Sequence, residues 1–329
     1  MGPSSGRALP LRTGRGCSAA LRLLRFGAGC LCLLSFAAPL SAQDLDPRAY
    51  ANAPVGTTFF VAGFGVSHGG VITDPTVPIA NIVATVETPS VGVGRAFGLF
   101  GMPAQTYAVL PVSWAQVSGD VLGDAQSTTR AGLSDMRFRF ALLVHGAKAA
   151  SLPAFLKAPR RTILGVSFTA SAPTGQYYPD KLINLGTNRW AFKPEFAVSH
   201  PLGPRWMLDT YAGLWFFTTN SSYYPGTSVR SQNVEGALQA HLSYNISPAL
   251  WTAFDATYYV GARATTNGVP ADGQFSDWRL GGTLNVPIGR RHAMKFAVSR
   301  GALVRYGSNF TTFSIGWQTA WVPKPKVAR

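Results

Sequence analysis

The chain has 329 residues and a formal net charge of +15, yet only 13% of its residues are charged while 47% are hydrophobic. This charged fraction is about half of that found in soluble domains, and the length suits one large β domain or two smaller ones. No run of about 20 uninterrupted apolar residues follows the N-terminal region, which argues against a helical membrane protein.

The first 42 residues have the composition of a secretory signal peptide. An acid-free basic segment is followed by an apolar stretch, 26–40, and by small residues that place cleavage after Ala42. The basic residues are Arg7, Arg12, Arg15, Arg22 and Arg25. We therefore expect residues 1–42 to be removed and residues 43–329 to form the mature domain.

Removal of this segment would change the chemistry of the mature chain. All three cysteines, Cys17, Cys30 and Cys32, lie within it, so no disulfide or thiol chemistry is expected afterwards. Loss of its five arginines lowers the formal charge from +15 to +10, which still favours anionic partners such as lipopolysaccharide phosphates. Export of the chain excludes nucleic acid as a partner.

Residues 189–200 alternate between an apolar and a charged set of side chains. Trp190, Phe192 and Phe196 fall on one parity, and Arg189, Lys193 and Glu195 fall on the other. Because a β-strand sends successive side chains to opposite faces, this pattern predicts a two-faced strand. A soluble sandwich would bury the apolar face, whereas an outer-membrane barrel turns it toward lipid and turns the charges into the lumen.

The same alternation recurs along the mature chain and predicts an all-β fold with twelve strands. Longer loops alternate with short turns, as in bacterial outer-membrane barrels, and no linker divides the chain. We expect a single antiparallel transmembrane β-barrel, preceded by a short periplasmic segment at 44–55. The predicted strands are 56–66, 82–96, 105–117, 135–145, 162–171, 189–200, 206–217, 234–246, 250–260, 277–286, 294–299 and 309–321. Pro111 counts against the third of these strands.

Four tryptophans lie near predicted strand ends: Trp190, Trp206, Trp251 and Trp321. Amphipathic rings at such positions are typical of the aromatic girdles of membrane barrels, although a soluble β protein would use them in its core. The aromatic last strand also fits a sorting signal for the barrel-assembly machinery, from which the chain departs by continuing past Trp321.

The inward parities collect six basic and six acidic side chains. Such a lumen can pair its charges into a salt-bridged interior, or it can line a narrow aqueous path for small polar solutes. Eight strands enclose a filled interior and sixteen enclose a channel, so twelve strands leave both options open. The residues are Arg137, Arg139, Arg189, Lys193, Arg279 and Lys295, with Asp135, Glu195, Asp209, Glu235, Asp255 and Asp277.

An outer-membrane hydrolase is a further possibility, and its best candidate set is His241 with Ser243 and Asn245 on one inward face. A serine hydrolase needs serine, histidine and an orienting group in mutual reach, but a lipid ester could not reach this face of the lumen. The histidines are scattered singly, so we expect neither a metal nor a cofactor, and we expect no enzyme.

Several segments resemble one known family. The runs 54–60 (PVGTTFF), 132–135 (GLSD), 173–177 (PTGQY), 184–190 (NLGTNRW) and 239–244 (QAHLSY) are similar to the outer-membrane transporter family labelled "meta-pathway of phenol degradation". The resemblance covers most of the mature chain, and Thr58 stands where asparagine is more usual. It implies an outer-membrane β-barrel associated with uptake of small, often aromatic compounds, without defined catalytic or ligand-binding residues.

Asp135 and Arg189 lie within these motifs and are charged and inward. They could contact a solute, or they could form one salt bridge that fixes the register of the barrel. Gly175, Gly186 and Asn188 are expected to serve the backbone of a loop. Four loop tyrosines could capture a ring-bearing solute or lie at the lipid interface: Tyr177, Tyr178, Tyr223 and Tyr224.

Together these patterns predict an outer-membrane channel of a Gram-negative bacterium for passive uptake of small hydrophobic or aromatic solutes. Its other partners would be outer-membrane lipid, lipopolysaccharide and the barrel-assembly machinery. A closed structural or adhesion barrel is the second interpretation, and the hydrolase is the third.

Overall fold

A computed structural model describes residues 46–72, 79–121, 123–305 and 307–323. The proposed signal peptide and the three cysteines lie outside these residues. The described chain is almost entirely β-structure, as the alternation predicted.

Each predicted strand is present, with ends that differ by a few residues. The strands are β1 (Thr58–Ile72), β2 (Ile79–Leu99), β3 (Met102–Val121), β4 (Asp124–Leu133), β5 (Met136–His145), β6 (Ile163–Ala172), β7 (Ala191–Leu202), β8 (Trp206–Phe217), β9 (Asn220–Tyr223), β10 (Ser228–Gln232), β11 (Glu235–Asn245), β12 (Trp251–Gly261), β13 (Ala264–Thr266), β14 (Val269–Pro270), β15 (Phe275–Ile288), β16 (His292–Leu303) and β17 (Gly307–Trp321). A short helix, α1 (Leu152–Leu156), lies between β5 and β6.

The strands close into an antiparallel barrel with twelve strand positions. β1 pairs with β17, and β2 pairs with both β1 and β3, so the main sheet has no free edge at the chain termini. Because the barrel is closed, the backbone N–H and C=O groups of each strand pair with neighbouring strands. This pairing is the condition for a sheet to cross a membrane. β9, β10, β13 and β14 form a separate four-stranded sheet.

The consecutive strands β4 and β5 share one position in the barrel wall, beside β3. The sequence did not predict this division. β3 pairs with β5 up to Val109 and with β4 from Val112 onward. Pro111, which lacks a backbone N–H, lies at this change of partner, and its carbonyl accepts a hydrogen bond from the Ser134 amide at 3.0 Å. A break in the neighbouring strand therefore accommodates a proline that a continuous ladder would disfavour.

Burial is inverted relative to a soluble protein. Along β11, Ala237, Gln239 and His241 are buried, while Leu238 and Leu242 are 52% and 38% exposed. Large apolar side chains are exposed in the same way on the other wall strands, including Phe138, Phe168, Phe196, Phe254 and Phe313. A belt of exposed apolar side chains around a polar interior defines a transmembrane barrel and removes the sandwich alternative.

Within the residues that the structure describes, no helix has the length and apolar character needed to cross a membrane.

The two ends of the barrel differ. Short turns at 100–101, 203–205, 246–250 and 289–291 lie at the end that holds both chain termini, together with the longer connection that contains α1. The opposite end carries the long loop 173–190 and the β9–β10 and β13–β14 hairpins. By the usual arrangement of such barrels, the first end is periplasmic and the second is extracellular.

Three of the four tryptophans face outward near strand ends, as predicted for a girdle: Trp190, Trp206 and Trp321 are 43–49% exposed. The prediction was wrong for Trp251, which is 2% exposed. Trp251 has the same parity as the inward Asp255 on β12, so its ring enters the lumen.

Candidate functional site

The segment before β1, expected as a short periplasmic segment, lies in its described part inside the periplasmic end of the lumen, a placement that the sequence did not predict. We call residues 46–54 the plug segment. Pro47, Tyr50 and Pro54 are each less than 2% exposed. The Lys295 Nζ donates to Asp46 Oδ1 at 2.8 Å, and Arg48 donates to Asn245 Oδ1 at the same distance. Small inward residues such as Ala197, which is fully buried, leave the space that this segment fills.

Tyr50 is the centre of the plug segment. Its hydroxyl donates to Glu195 Oε1 at 2.9 Å and lies 2.7 Å from Ser167 Oγ. The guanidinium of Arg139 lies 4.4 Å from its ring centroid, and the Tyr211 ring lies 5.1 Å away. Burial raises the pKa of the Tyr50 hydroxyl well above its usual range, so the group remains a neutral hydrogen-bond donor.

Glu195 joins the plug segment to the barrel wall. Its Oε1 lies 3.3 Å from Arg139 Nη2, and its Oε2 lies 2.9 Å from Lys193 Nζ. All three side chains are at most 5% exposed. Gln239 Nε2 adds a long hydrogen bond to Oε2 at 3.4 Å. At this level the structure has the salt-bridged interior that the sequence left as one of two options.

A second buried pair continues this network along β11 and β12. The Nδ1 of His241 lies 2.8 Å from Asp255 Oδ1, and its Nε2 lies 3.3 Å from Gln239 Oε1. Thr283 Oγ1 donates to Asp255 Oδ2 at 2.6 Å. Both ring nitrogens of His241 therefore contact residues other than Ser243, so the set considered for a serine hydrolase does not assemble.

The other lumen candidates occupy several environments. Asp209 is 1% exposed and pairs across the sheet with Ser199 and His241. Arg279 donates to Ser299 Oγ at 3.0 Å and to Thr312 Oγ1 at 2.8 Å. Asp277 accepts the Arg305 amide at 2.6 Å. Arg137 lines a small lumen cavity of about 30 Å³ next to Arg139 and Glu195. This volume has room for about two water molecules and is too small for an organic solute.

Gly165 on β6 is the wall residue on which the Tyr50 ring lies. A Cβ at position 165 would come 2.4 Å from Tyr50 Cδ1, whereas a Cβ at Gly316 on β17 would meet nothing within 4 Å. We expect Gly165→Ala to lower the free energy of unfolding by roughly 1–3 kcal/mol through this overlap. The loss should disappear in a Tyr50→Ala background, and Gly316→Ala should change stability little. Urea unfolding in detergent measures the wild type, the three single variants and the double variant, and additive losses would contradict the contact.

The loop 173–190 folds onto the break between β4 and β5, and Asp135 holds it there. Asp135 Oδ1 accepts the Gly175 amide at 2.9 Å, and Oδ2 accepts the Thr187 amide at 2.9 Å and its hydroxyl at 2.6 Å. Gly175 and Gly186 lie so close that a Cβ on Gly175 would come 2.6 Å from Gly186 Cα. Asn188 has a φ of 52°, as expected of a residue that serves the backbone.

The salt bridge considered between Asp135 and Arg189 is absent. Among the described residues, Arg189 is hydrogen-bonded to the Gln232 side chain and lies 4.3 Å from the Phe217 ring centroid. Burial and the nearby Arg230 charge lower the pKa of Arg189 to about 10, against opposing effects of Glu235 and Asp135. A carboxylate is therefore near Arg189 but does not contact it.

Because Asp135 accepts three loop hydrogen bonds, Asp135→Ala should loosen loop 173–190. We expect trypsin to cleave after Lys181 at least about tenfold faster in this variant, since local opening that costs 1.4 kcal/mol less is populated tenfold more. Asp124→Ala, at the exposed start of β4, is the matched control and should cleave like the wild type. Equal cleavage in Asp135→Ala would show that Asp135 does not anchor the loop.

The tip of this loop covers an apolar patch inside the extracellular half of the barrel. Ile183 and Leu185 pack against a cluster that includes Ile82, Ala84 and Val117 on β2 and β3. Arg130 Nε donates to the Ile183 carbonyl at 3.1 Å and ties the tip to the wall. The lumen is therefore apolar on the β2–β3 side of its extracellular half and polar in its periplasmic half. The sequence analysis did not predict this arrangement.

The loop tyrosines take part in loop structure. The Tyr177 hydroxyl donates to the Ser222 carbonyl at 3.0 Å and accepts from Asn220. Arg230 lies over the Tyr223 ring at 4.7 Å and also donates to its hydroxyl. Tyr178 is 43% exposed, and Tyr224 is partly exposed beside a proline. Solute capture by these four residues stays a prediction.

Among the described residues, no group of three or more His, Cys, Asp or Glu side chains could hold a metal ion.

The closed twelve-strand wall, apolar outer belt and polar interior define a transmembrane β-barrel of the outer-membrane type. Residues 64–302 match the family model described as "Putative MetA-pathway of phenol degradation", so the chain belongs to that family, as the sequence motifs indicated.

Solved structures agree with this fold. The COG4313 outer membrane channel from Pseudomonas putida F1 is similar over 84% of this chain and 100% of its own, with 20% identity and a TM-score of 0.73. The transport unit of the autotransporter AIDA-I from Escherichia coli is similar over 86% and 94%, with 11% identity and a TM-score of 0.51. The comparison with curated proteins returned no match.

Proposed function

We propose that the protein is an outer-membrane channel for passive uptake of small hydrophobic or aromatic solutes. The observation that carries this proposal is that the plug segment, and not wall side chains alone, fills the periplasmic end of the lumen beside the Glu195 ion pairs. A barrel of twelve strands has room for such a segment, whereas a purely structural barrel can fill its interior with wall side chains. The apolar patch beneath Ile183 and Leu185 supplies a non-polar surface on the extracellular side.

The comparisons support the same proposal. The family description refers to phenol degradation, and the similar P. putida protein is named as an outer membrane channel. We further propose that export removes residues 1–42, so protein extracted from the outer membrane should begin at Gln43 by intact mass.

Uptake of a labelled small aromatic alcohol by Gram-negative cells tests the transport proposal. Cells that display the protein in the outer membrane should accumulate benzyl alcohol faster than cells with the empty vector, without saturation at low concentrations. Equal uptake in the two strains, with the protein correctly located, would reject the proposal.

A closed structural barrel is the second candidate, and the filled lower lumen favours it. This candidate predicts no single-channel conductance from the wild type or from variants that weaken the plug segment. Conductance in either would exclude it.

A further inference from the structure

A second cavity lies at the extracellular rim, away from the plug segment. It has a volume of about 510 Å³ and is lined by the ends of β8, β11 and β12 and by the loop before β15. We call it the rim cavity, and its main lining side chains are Phe216, Phe217, Gln232, Arg263 and Gln274. This volume lies within the range of roughly 300–1,000 Å³ that small-molecule sites occupy.

The chemistry of the lining is aromatic and positive. Phe217 supplies a ring on the inward parity of β8, and Gln232 and Gln274 supply side-chain amides. Phe216 points to the opposite face of the strand and borders the cavity only from outside, and no lining residue is acidic. Arg263 is exposed, and its side chain makes no hydrogen bond or ion pair among the described residues. An aromatic face with an uncommitted guanidinium matches a planar ring that carries a carboxylate.

A second arginine, Arg189, lies behind the lining residues and adds to the positive charge at the rim cavity. Arg189 contacts two of the lining side chains, Gln232 by a hydrogen bond and Phe217 by its ring face. Arg230 lies close enough to lower the pKa of Arg189. The described contacts of Arg189 and Arg230 are with neutral side chains, so an anion can balance their positive charge. Glu235 offsets part of this charge from within the lumen.

We propose that the rim cavity binds a small aromatic carboxylate, with Arg263 contacting the carboxylate and Phe217 contacting the ring. Arg189 acts as a positioning residue that holds Gln232 and Phe217 and adds positive potential. The inference rests on the proposed function and narrows the solute class at the entrance to ring-bearing anions.

Equilibrium dialysis of labelled benzoate against the detergent-solubilised mature protein at low salt tests this inference. Wild type should bind benzoate about two- to fivefold more tightly than benzyl alcohol, because a charge contact at an exposed arginine is worth no more than that ratio. Arg263→Gln should weaken benzoate binding about two- to fivefold and leave benzyl alcohol binding unchanged. Added salt should weaken benzoate binding, since the site is close to solvent.

Arg290→Gln is the matched control, because it removes the same charge from an exposed turn at the periplasmic end. It should bind benzoate like the wild type. Arg263 loses no described contact when it is replaced, so a folding defect is not expected, and heat-modifiable gel mobility checks this. Arg189→Gln should weaken benzoate binding as well and should be rescued in part by Arg189→Lys.

Three results would overturn the inference: no benzoate binding by the wild type, equal binding by Arg263→Gln, or equal affinity for benzoate and benzyl alcohol. None of them bears on uptake of benzyl alcohol by cells, so a failure here is distinguishable from a failure of the channel proposal.

Discussion

Replacing Tyr50 with alanine should raise the single-channel conductance of the refolded protein in planar bilayers by about threefold or more, because it removes a buried ring from the filled periplasmic half of the lumen. That ring is enclosed by Arg139, Tyr211 and the backbone at Gly165. Its loss also leaves Glu195 without one donor and the plug segment without its main packing contact.

Tyr50→Phe is the control that separates packing from hydrogen bonding. It keeps the ring and removes only the hydroxyl that contacts Ser167 and Glu195. We expect the conductance of this variant to stay near the wild-type value, with a stability loss of about 1–2 kcal/mol. A Tyr50→Ala protein that inserts stably and conducts like the wild type would show that the plug segment does not limit the path.

Glu195→Gln should lower the free energy of unfolding by about 3–5 kcal/mol, since it removes the shared anion of two buried cations. Arg139 and Lys193 would remain in the lumen at 5% exposure without the ion pairs that Glu195 makes with them. The Tyr50 hydroxyl would lose a charged acceptor at the same time. Urea titration followed by tryptophan fluorescence in detergent measures the change.

Asp180→Asn provides the comparison, because it removes one carboxylate whose ion pair with Lys181 is exposed. Exposed pairs contribute about 0–1 kcal/mol, so we expect little change. Similar losses in Glu195→Gln and Asp180→Asn would mean that water reaches the Glu195 network freely and that the lumen is wetter than the structure indicates.

The hydrolase interpretation shows that residue parity predicts the face of a side chain but not its contact partner. His241, Ser243 and Asn245 share an inward face, as their spacing on β11 requires. Parity does not specify which neighbour each side chain contacts, and the partner strand supplies Asp255 opposite His241. Side chains two residues apart on one face of a strand are farther from each other in space than two side chains directly opposite on neighbouring strands.

The predicted contact between Asp135 and Arg189 shows the same limit of residue parity. The alternation assigned both side chains to the inward face and suggested a salt bridge between them. The interruption after Leu133 instead turns Asp135 toward the amides of loop 173–190, and β7 begins only at Ala191. Arg189 therefore belongs to the loop and contacts Gln232 on the β9–β10 hairpin side.

The sequence by itself determined the barrel: its strand number, the direction of each face and the outward position of three girdle tryptophans. These features follow from a local, two-residue period that each strand carries independently of the others. Only the tertiary structure decided what fills the lumen. Tyr50 contacts Ser167 across 117 residues and Asp46 contacts Lys295 across 249, and neither segment shows a periodic signal for the other. Barrel closure brings such groups together, and the small inward alanines and Gly165 provide the space in which the plug segment lies.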